Sequence, residues 1–342
     1  MVGRTPGYVT TQGEILTDLF ANEGYPVISV STKLNRYARL LDIVVTLLRR
    51  GSTVNILMIQ TFGGPSFVVE DVASAIGVLF GLRIVLHLRG GAMPDFMNRF
   101  PRWTRRVLRR ADVIIVPSTF LARALEQRGF ASVTIPNVLN LSRYRYRCRT
   151  RVRPTMFWMR SFHPLYNPAM AIRVLALIRA SVPDATLVMA GQDLGIQADV
   201  ESLADALNVR DAVRFVGFLD PAGKSREGDG ADIYINTNNI DNMPVAVIEA
   251  CAMGLPVVST NVGGVPDLLT DGETGLLVPC NDDRGMAEAV LRLLRDDGLA
   301  GRLSANGRSL AEKSAWPIVR LQWEHLIADL AARPQHHRRG EN

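Results

Sequence analysis

The chain has 342 residues, 47% hydrophobic and 21% charged, which is ample for two α/β domains of ordinary size and argues against a disordered chain. Its three cysteines, Cys148, Cys251 and Cys280, and its five histidines fall into no metal-ligand or disulfide spacing, so a reducing compartment and no structural metal are expected. The net charge of +6 is uneven: residues 1–150 carry 20 Lys and Arg against 9 Asp and Glu, +11, and residues 151–342 carry −5.

In chain order, the pattern predicts a helix from about Thr11 to Asn22, a strand at "PVISVS", an apolar helix at "NRYARLLDIVVTLLRR" and a strand at "VNILMIQ". A helix after "GGPS", a strand at "RIVLHLRGG", a basic helix opening at Pro101, a strand at "DVIIVPS", a helix to Arg128 and a strand at "SVTIPN" follow. The arginine-rich stretch 139–153 reads as a connector. The pattern then restarts with strands at "TMFWMR", "ATLVMAG", "AVRFVGF", "ADIYINT", "PVVST" and "GLLVP", separated by helices and closed by three more. Strands and helices in alternation make parallel sheets, so two doubly wound domains are expected, over 1–150 and 151–315. A helix over 316–333 is expected to pack back toward the first domain, and 334–342 to be a disordered tail.

Such a domain normally opens with its central strand and a glycine-rich turn. Here the turn-like "TPGYVTTQG" arrives with no strand before it, so the first strand is expected to be missing and the start to lie upstream. The segment "MVGRTPGYVTT" lacks the apolar core of a signal peptide, and no apolar run reaches the ~18 residues of a membrane span. A soluble or peripheral protein is expected. The basic helix 101–110 sets Trp103, Val107 and Leu108 on one side against five arginines, and "RYRYRCRTRVR" alternates arginine with period two. Two readings of the helix stand: contact with an anionic membrane surface, or a solvated helix with Trp103 in the core. Nucleic acid is not expected, since no binding motif accompanies the charge.

The stretch "DNMPVAVIEACAMGLPVVST" places Asp241 ahead of a helix that begins near Pro244, with Glu249 inside it and Gly254 at its end. It lies between two strands. In parallel sheets ligands bind beyond the carboxyl ends of strands, where helix N-termini face them, so the Asp241 loop sits where an anionic ligand would. Glu249 is near enough along the helix to reach hydroxyls of the same ligand. A capping Asp and a solvent-facing Glu is the structural alternative.

Together with "MFWMRSFHP", "ATLVMAGQD", "VRFVGFLD" and "GGVPDLLTDGETGLLVP", that stretch resembles the donor domain of retaining glycosyltransferases of family 4, the group 1 type with the GT-B fold, over about 154–300. The resemblance implies two Rossmann-like domains facing a cleft, an acceptor-binding one first and a donor-binding one second. It implies transfer of a sugar from a UDP- or GDP-linked donor to a saccharide or lipid-linked acceptor, with retention and without metal or cofactor, in surface polysaccharide or glycolipid assembly. The location expected is cytoplasmic, with the inner membrane face as the surface for the basic helix. Residue by residue, the family's two acids fall on Asp241, toward sugar hydroxyls, and Glu249, toward the ribose. Asn242, Met243, Pro244 and Val245 offer backbone N–H groups to sugar and phosphate. Gly191 joins the donor side, and Arg160, at a strand end, would clamp the diphosphate.

The sequence also departs from the family. Its first acid is Asp where Glu is usual. The lysine expected shortly after Arg160 is absent from "RSFHPLYNP", and none of Lys33, Lys224 and Lys313 is placed by sequence to replace it. The N-terminal Gly-Gly pair reads Gly7-Tyr8, leaving close approach to a phosphate at Gly7. Arg89 falls where the family often has a histidine and would stand in for the missing cation. His87 is either an acceptor-side residue or a packed strand histidine; Thr10, Thr11 and Gln12 are polar candidates for the acceptor. A nicotinamide oxidoreductase would need a Gly-x-Gly-x-x-Gly turn, and a phosphorylase a Schiff-base lysine, and neither is present. The rival reading is a catalytically silent sugar-nucleotide-binding or scaffold homologue.

Overall fold

The computed structural model describes residues 10–33 and 35–332. The described residues up to Val138, with those from Trp316 onward, form one compact unit, and Leu139–Ala315 form the other. Gly7, the Gly7-Tyr8 turn and the tail 334–342 lie outside the described residues.

The first unit holds α1 (Gln12–Asn22), α2 (Arg36–Arg50), β1 (Ile56–Thr61), α3 (Phe67–Leu79), β2 (Arg83–Leu88), α4 (Met93–Arg99), α5 (Pro101–Leu108), β3 (Val113–Val116), α6 (Thr119–Glu126) and β4 (Val133–Thr134). The strands form a parallel sheet in the order β1-β2-β3-β4. β2 is buried on both faces, which is why it reads as an unbroken apolar run. Ile84, Leu86 and Leu88 join Phe67, Met97 and Leu121 on one side. Val85 joins Leu16, Phe20, Val319 and Trp323 on the other, where the C-terminal helix Trp316–Ala332 closes the layer.

One expected strand does not form. Residues 26–31, "PVISVS", carry no strand, and Val27 and Ile28 are 41% and 50% exposed. A strand exists only as a ladder with a neighbour, and among the described residues β1 is the last strand on its side of the sheet. The run 26–31 forms no ladder with the open edge of β1.

The basic helix is α5, and its tryptophan points inward. Trp103 packs against Phe67, Phe96 and Phe100 and donates its Nε1–H to Asp71 at 2.7 Å. Asp71 also pairs with Arg106 and with Arg110. Any attraction of this helix for an anionic surface then rests on its exposed arginines and not on the indole.

Glu70, in the first turn of α3, is 3% exposed and accepts the Phe62 N–H at 3.0 Å. Burial, only partly offset by that hydrogen bond, raises its carboxyl to about 7. The folded chain thus holds the proton more tightly than the unfolded chain, and stability falls as pH rises from about 4.5 to about 7, then levels. The loss is on the order of 3 kcal/mol. In urea melts at pH 5 and pH 8, Glu70→Gln is expected to gain relative to wild type at the higher pH; a pH-independent difference contradicts this.

The second unit contains β5 (Thr155–Met159), α7 (Pro168–Arg179), β6 (Thr186–Ala190), α8 (Gln197–Ala206), β7 (Val213–Gly217), α9 (Pro221–Gly230), β8 (Ile233–Asn236), α10 (Val245–Ala252), β9 (Val257–Thr260), α11 (Val265–Leu268), β10 (Leu276–Val278), α12 (Asp283–Arg295) and α13 (Asp297–Glu312). Its strands are all parallel in the order β10-β9-β8-β5-β6-β7. The chain leaves β5 in one direction and returns to β8 on the other side. That reversal is the switch point at which α/β sheets open toward ligands.

The arginine-rich stretch is an internal clamp of this unit, not a connector. Arg147 and Arg153 bond the Asp232 carboxylate at 2.6 and 2.7 Å, and Arg149, whose side chain is fully buried, donates to the carbonyls of Arg147, Gly228 and Ala231. Period two sets these arginines on one face, as expected; within it Arg149 is fully buried against carbonyls, while Arg147 and Arg153 reach the Asp232 carboxylate from positions still open to solvent.

Candidate active site at the switch point of the second sheet

β5 ends at Met159 and β8 at Asn236, and the residues just beyond them meet. Arg160 donates from Nη2 to Asp241 Oδ2 at 2.5 Å, and its guanidinium lies over the Tyr166 ring, 4.1 Å from the centroid. Burial works against its charge, but Asp241, Tyr166, Tyr234 and Glu249 outweigh burial and hold its pKa above the ordinary value. Its Nε–H is buried without an acceptor. The Arg160 side chain is 16% exposed and Asp241 12%, so both are reachable.

Backbone packing fixes this pair. Gly191 follows β6, and a Cβ there would lie 1.7 Å from the Arg160 carbonyl oxygen, so only glycine allows the two strand ends to approach. At Gly263, where φ is 54°, a Cβ would lie 2.0 Å from the Asp241 carbonyl oxygen, which also accepts the Gly264 N–H at 2.9 Å. The glycine pair therefore acts on the backbone. The Asp241 carboxylate accepts from Asn238 Nδ2 at 2.6 Å and from the Asn242 N–H at 2.8 Å.

Asn242, Met243 and Pro244 lead into α10, with Pro244 at the N-cap and Val245 as the first helical residue. No side chain caps this end, which leaves the positive end of the helix dipole facing the Asp241 loop. Glu249 points inward from the same helix and is 4% exposed, which removes the solvent-facing alternative. Its Oε1 accepts the Tyr144 hydroxyl at 2.6 Å and Lys224 Nζ at 2.8 Å, and Lys224 also reaches Oε2 at 3.0 Å. Burial and the carboxylate push the Tyr144 phenol well above its ordinary pKa, so it stays a donor.

Lys224 and Tyr144 are the residues that sequence reasoning missed. Lys224 sits on α9, 25 positions before Glu249, and Tyr144 is 105 positions away. No local spacing joins them to the acid. Lys224 was the one lysine of the second unit's sheet region, and its position on a helix crossing back to β8 was the only available signal.

The remaining candidates lie in the first unit. Gln12 exchanges both amide groups with the backbone of Val138, at 2.9 and 2.8 Å, and Thr11 caps α1 in a box with Glu14. Both thus have structural duties, while Thr10 is exposed. His87 is 1% exposed, its ring 5.5 Å from that of Trp323, and burial followed by the charge of Arg89 keeps it neutral. It is a packed strand histidine.

Two parallel-sheet α/β units of this kind define the GT-B class, and known structures agree. Sucrose-phosphate synthase from Thermosynechococcus elongatus matches 90% of this chain and 82% of its own, with TM-score 0.75 and 20% identity. HepE of Anabaena, solved in complex with UDP-glucose, matches 92% of this chain and 89% of its own, with TM-score 0.73 and 17% identity. Residues 152–310 match the model of the group 1 glycosyl transferases. A phosphatidyl-myo-inositol mannosyltransferase of Mycobacterium leprae is 28% identical over 226 residues, 64% of this chain and 59% of that protein. A D-inositol 3-phosphate glycosyltransferase of Corynebacterium aurimucosum is 30% identical over 168 residues, 48% of this chain and 40% of its own length. The chain spans well under two thirds of these curated relatives.

Proposed function

We propose that the protein is a retaining, metal-independent glycosyltransferase of family 4 that moves a sugar from a UDP- or GDP-linked donor to a saccharide or lipid-linked acceptor. The carrying observation is Arg160, held at the switch point by Asp241 with its Nε–H buried and without an acceptor. A guanidinium so placed, beside the uncapped start of α10, suits the charge that grows on a departing diphosphate. Asp241 accepts hydroxyls of the donor sugar, and Glu249 accepts the ribose. Gly191 shapes the strand ends that hold Arg160, and the first unit binds the acceptor. Names of relatives and neighbours, which include UDP-glucose complexes and inositol-linked acceptors, support this reading.

Lys224 fixes the Glu249 carboxylate for the ribose. With Lys224→Met, donor KM is expected to rise about tenfold with kcat little changed, as loss of ground-state positioning does. Steady-state kinetics decide it: an equal fall in kcat and kcat/KM places Lys224 in the chemical step instead.

The function is tested by incubating the full chain with a panel of UDP- and GDP-sugars and measuring released nucleoside diphosphate. Slow release from one donor is expected even without acceptor, and NMR of an acceptor product should show the donor's anomeric configuration. Saturable donor binding without release supports the silent homologue. Inversion overturns the retaining mechanism.

A further inference from the structure

Arg89 follows β2 directly and is 7% exposed. Its guanidinium is held by three neutral acceptors: Nε by Gln60 Oε1 at 3.0 Å, Nη1 by Asn137 Oδ1 and Nη2 by His87 Nδ1 at 3.1 Å. Among the described residues no carboxylate pairs with it. A guanidinium has five N–H donors, so one on each terminal nitrogen remains uncommitted. Burial lowers its pKa to about 9, which leaves it charged at neutral pH.

A buried cation without a counter-charge is costly, and an oxyanion at the two uncommitted N–H groups would offset that cost. The partners come from separate elements that converge at the carboxyl end of the sheet. Gln60 lies one residue before the end of β1, Asn137 follows β4, and His87 is fixed by its packing on Trp323. Gly13, in the first turn of α1, closes on Gln60, where a Cβ would come within 2.9 Å of its side chain. The start of α1, with its dipole, thus stands beside the same group.

We propose that Arg89, oriented by Gln60, Asn137 and His87, is an oxyanion site of the first unit that takes the phosphate group of a phosphorylated acceptor. That the ligand is the acceptor rests on the function proposed above; the oxyanion site itself does not.

The test uses the full chain, with melting temperature and tryptophan fluorescence followed during titration with inorganic phosphate and with glucose 6-phosphate at constant ionic strength, against chloride and glucose. Wild type is compared with Arg89→Gln, Arg89→Lys and the exposed control Arg102→Gln. The expected result is a saturable response to both phosphates, unchanged in Arg102→Gln, weakened at least tenfold in Arg89→Gln and partly kept in Arg89→Lys. Unliganded Arg89→Gln should melt at or above wild type, because an uncompensated buried charge has gone. A response to glucose 6-phosphate stronger than to phosphate assigns the site to a phosphorylated acceptor. No saturable response in wild type, or an equal one in Arg89→Gln, overturns the proposal. So does an Arg89→Gln chain that melts lower, for then Arg89 only braces the sheet. The two readings fail separately: a wild type that answers phosphate but no nucleotide sugar keeps this site and loses the function proposed above.

Discussion

Arg160→Ala is expected to lower kcat by about 10²–10³-fold, the usual effect of deleting one group aimed at developing charge. The fold should survive, because Asp241 keeps its bonds to Asn238 and to the Asn242 N–H. Arg160→Lys is expected to recover only part of the rate, since an ammonium can neither stack on Tyr166 as a plane nor present two N–H edges at once. Single-turnover rates with a cognate donor check this. A loss confined to KM would mean that Arg160 binds the donor equally in ground and transition states.

Asp232→Asn is expected to cost about 3–5 kcal/mol, the range for breaking a buried ion pair, and to lower the melting temperature by on the order of 10 °C. The carboxylate is 1% exposed and is shared by Arg147 and Arg153, with Arg149 at 3.9 Å. Neutralising it leaves a fully buried guanidinium with carbonyls alone. Burial raises the Asp232 carboxyl, yet the arginines more than offset it and hold its pKa below the ordinary 3.8. The advantage of wild type is therefore full above pH 4 and fades only as the carboxylate protonates below it. Thermal melts of both chains between pH 3 and pH 7 test the size and the window. A variant within 1 °C of wild type at pH 7 would show that the clamp is not needed for stability.

What was legible in the sequence was local. Both sheets, the start of α10 and the placing of Arg160 and Asp241 at strand ends follow from apolar runs, caps and glycine stops, all contained in short windows. The switch point then brings two of those ends together without further information. Where the reading failed, the missing element was a partner. The run 26–31 has strand composition but no neighbouring ladder, and the period-two arginines face a buried carboxylate that lies some 80 positions on. Lys224 could not be joined to Glu249 because α9 and α10 are separate helices, joined in the chain through β8 and brought into contact only by the fold. Trp103 looked equally suited to a surface or a core until Asp71, 32 positions earlier, supplied its acceptor. Arg89 was legible as a cation by position, but its neutral surroundings were not.

The most direct measurement is the melting temperature of the full chain against a panel of nucleotide sugars, in wild type, Arg160→Ala and Glu249→Ala. A donor-specific rise in wild type that is absent from both variants is the predicted result, and it would locate the nucleotide sugar at the Arg160, Asp241 and Glu249 cluster. An equal rise in all three chains, or none in a folded wild type, would contradict a donor site there.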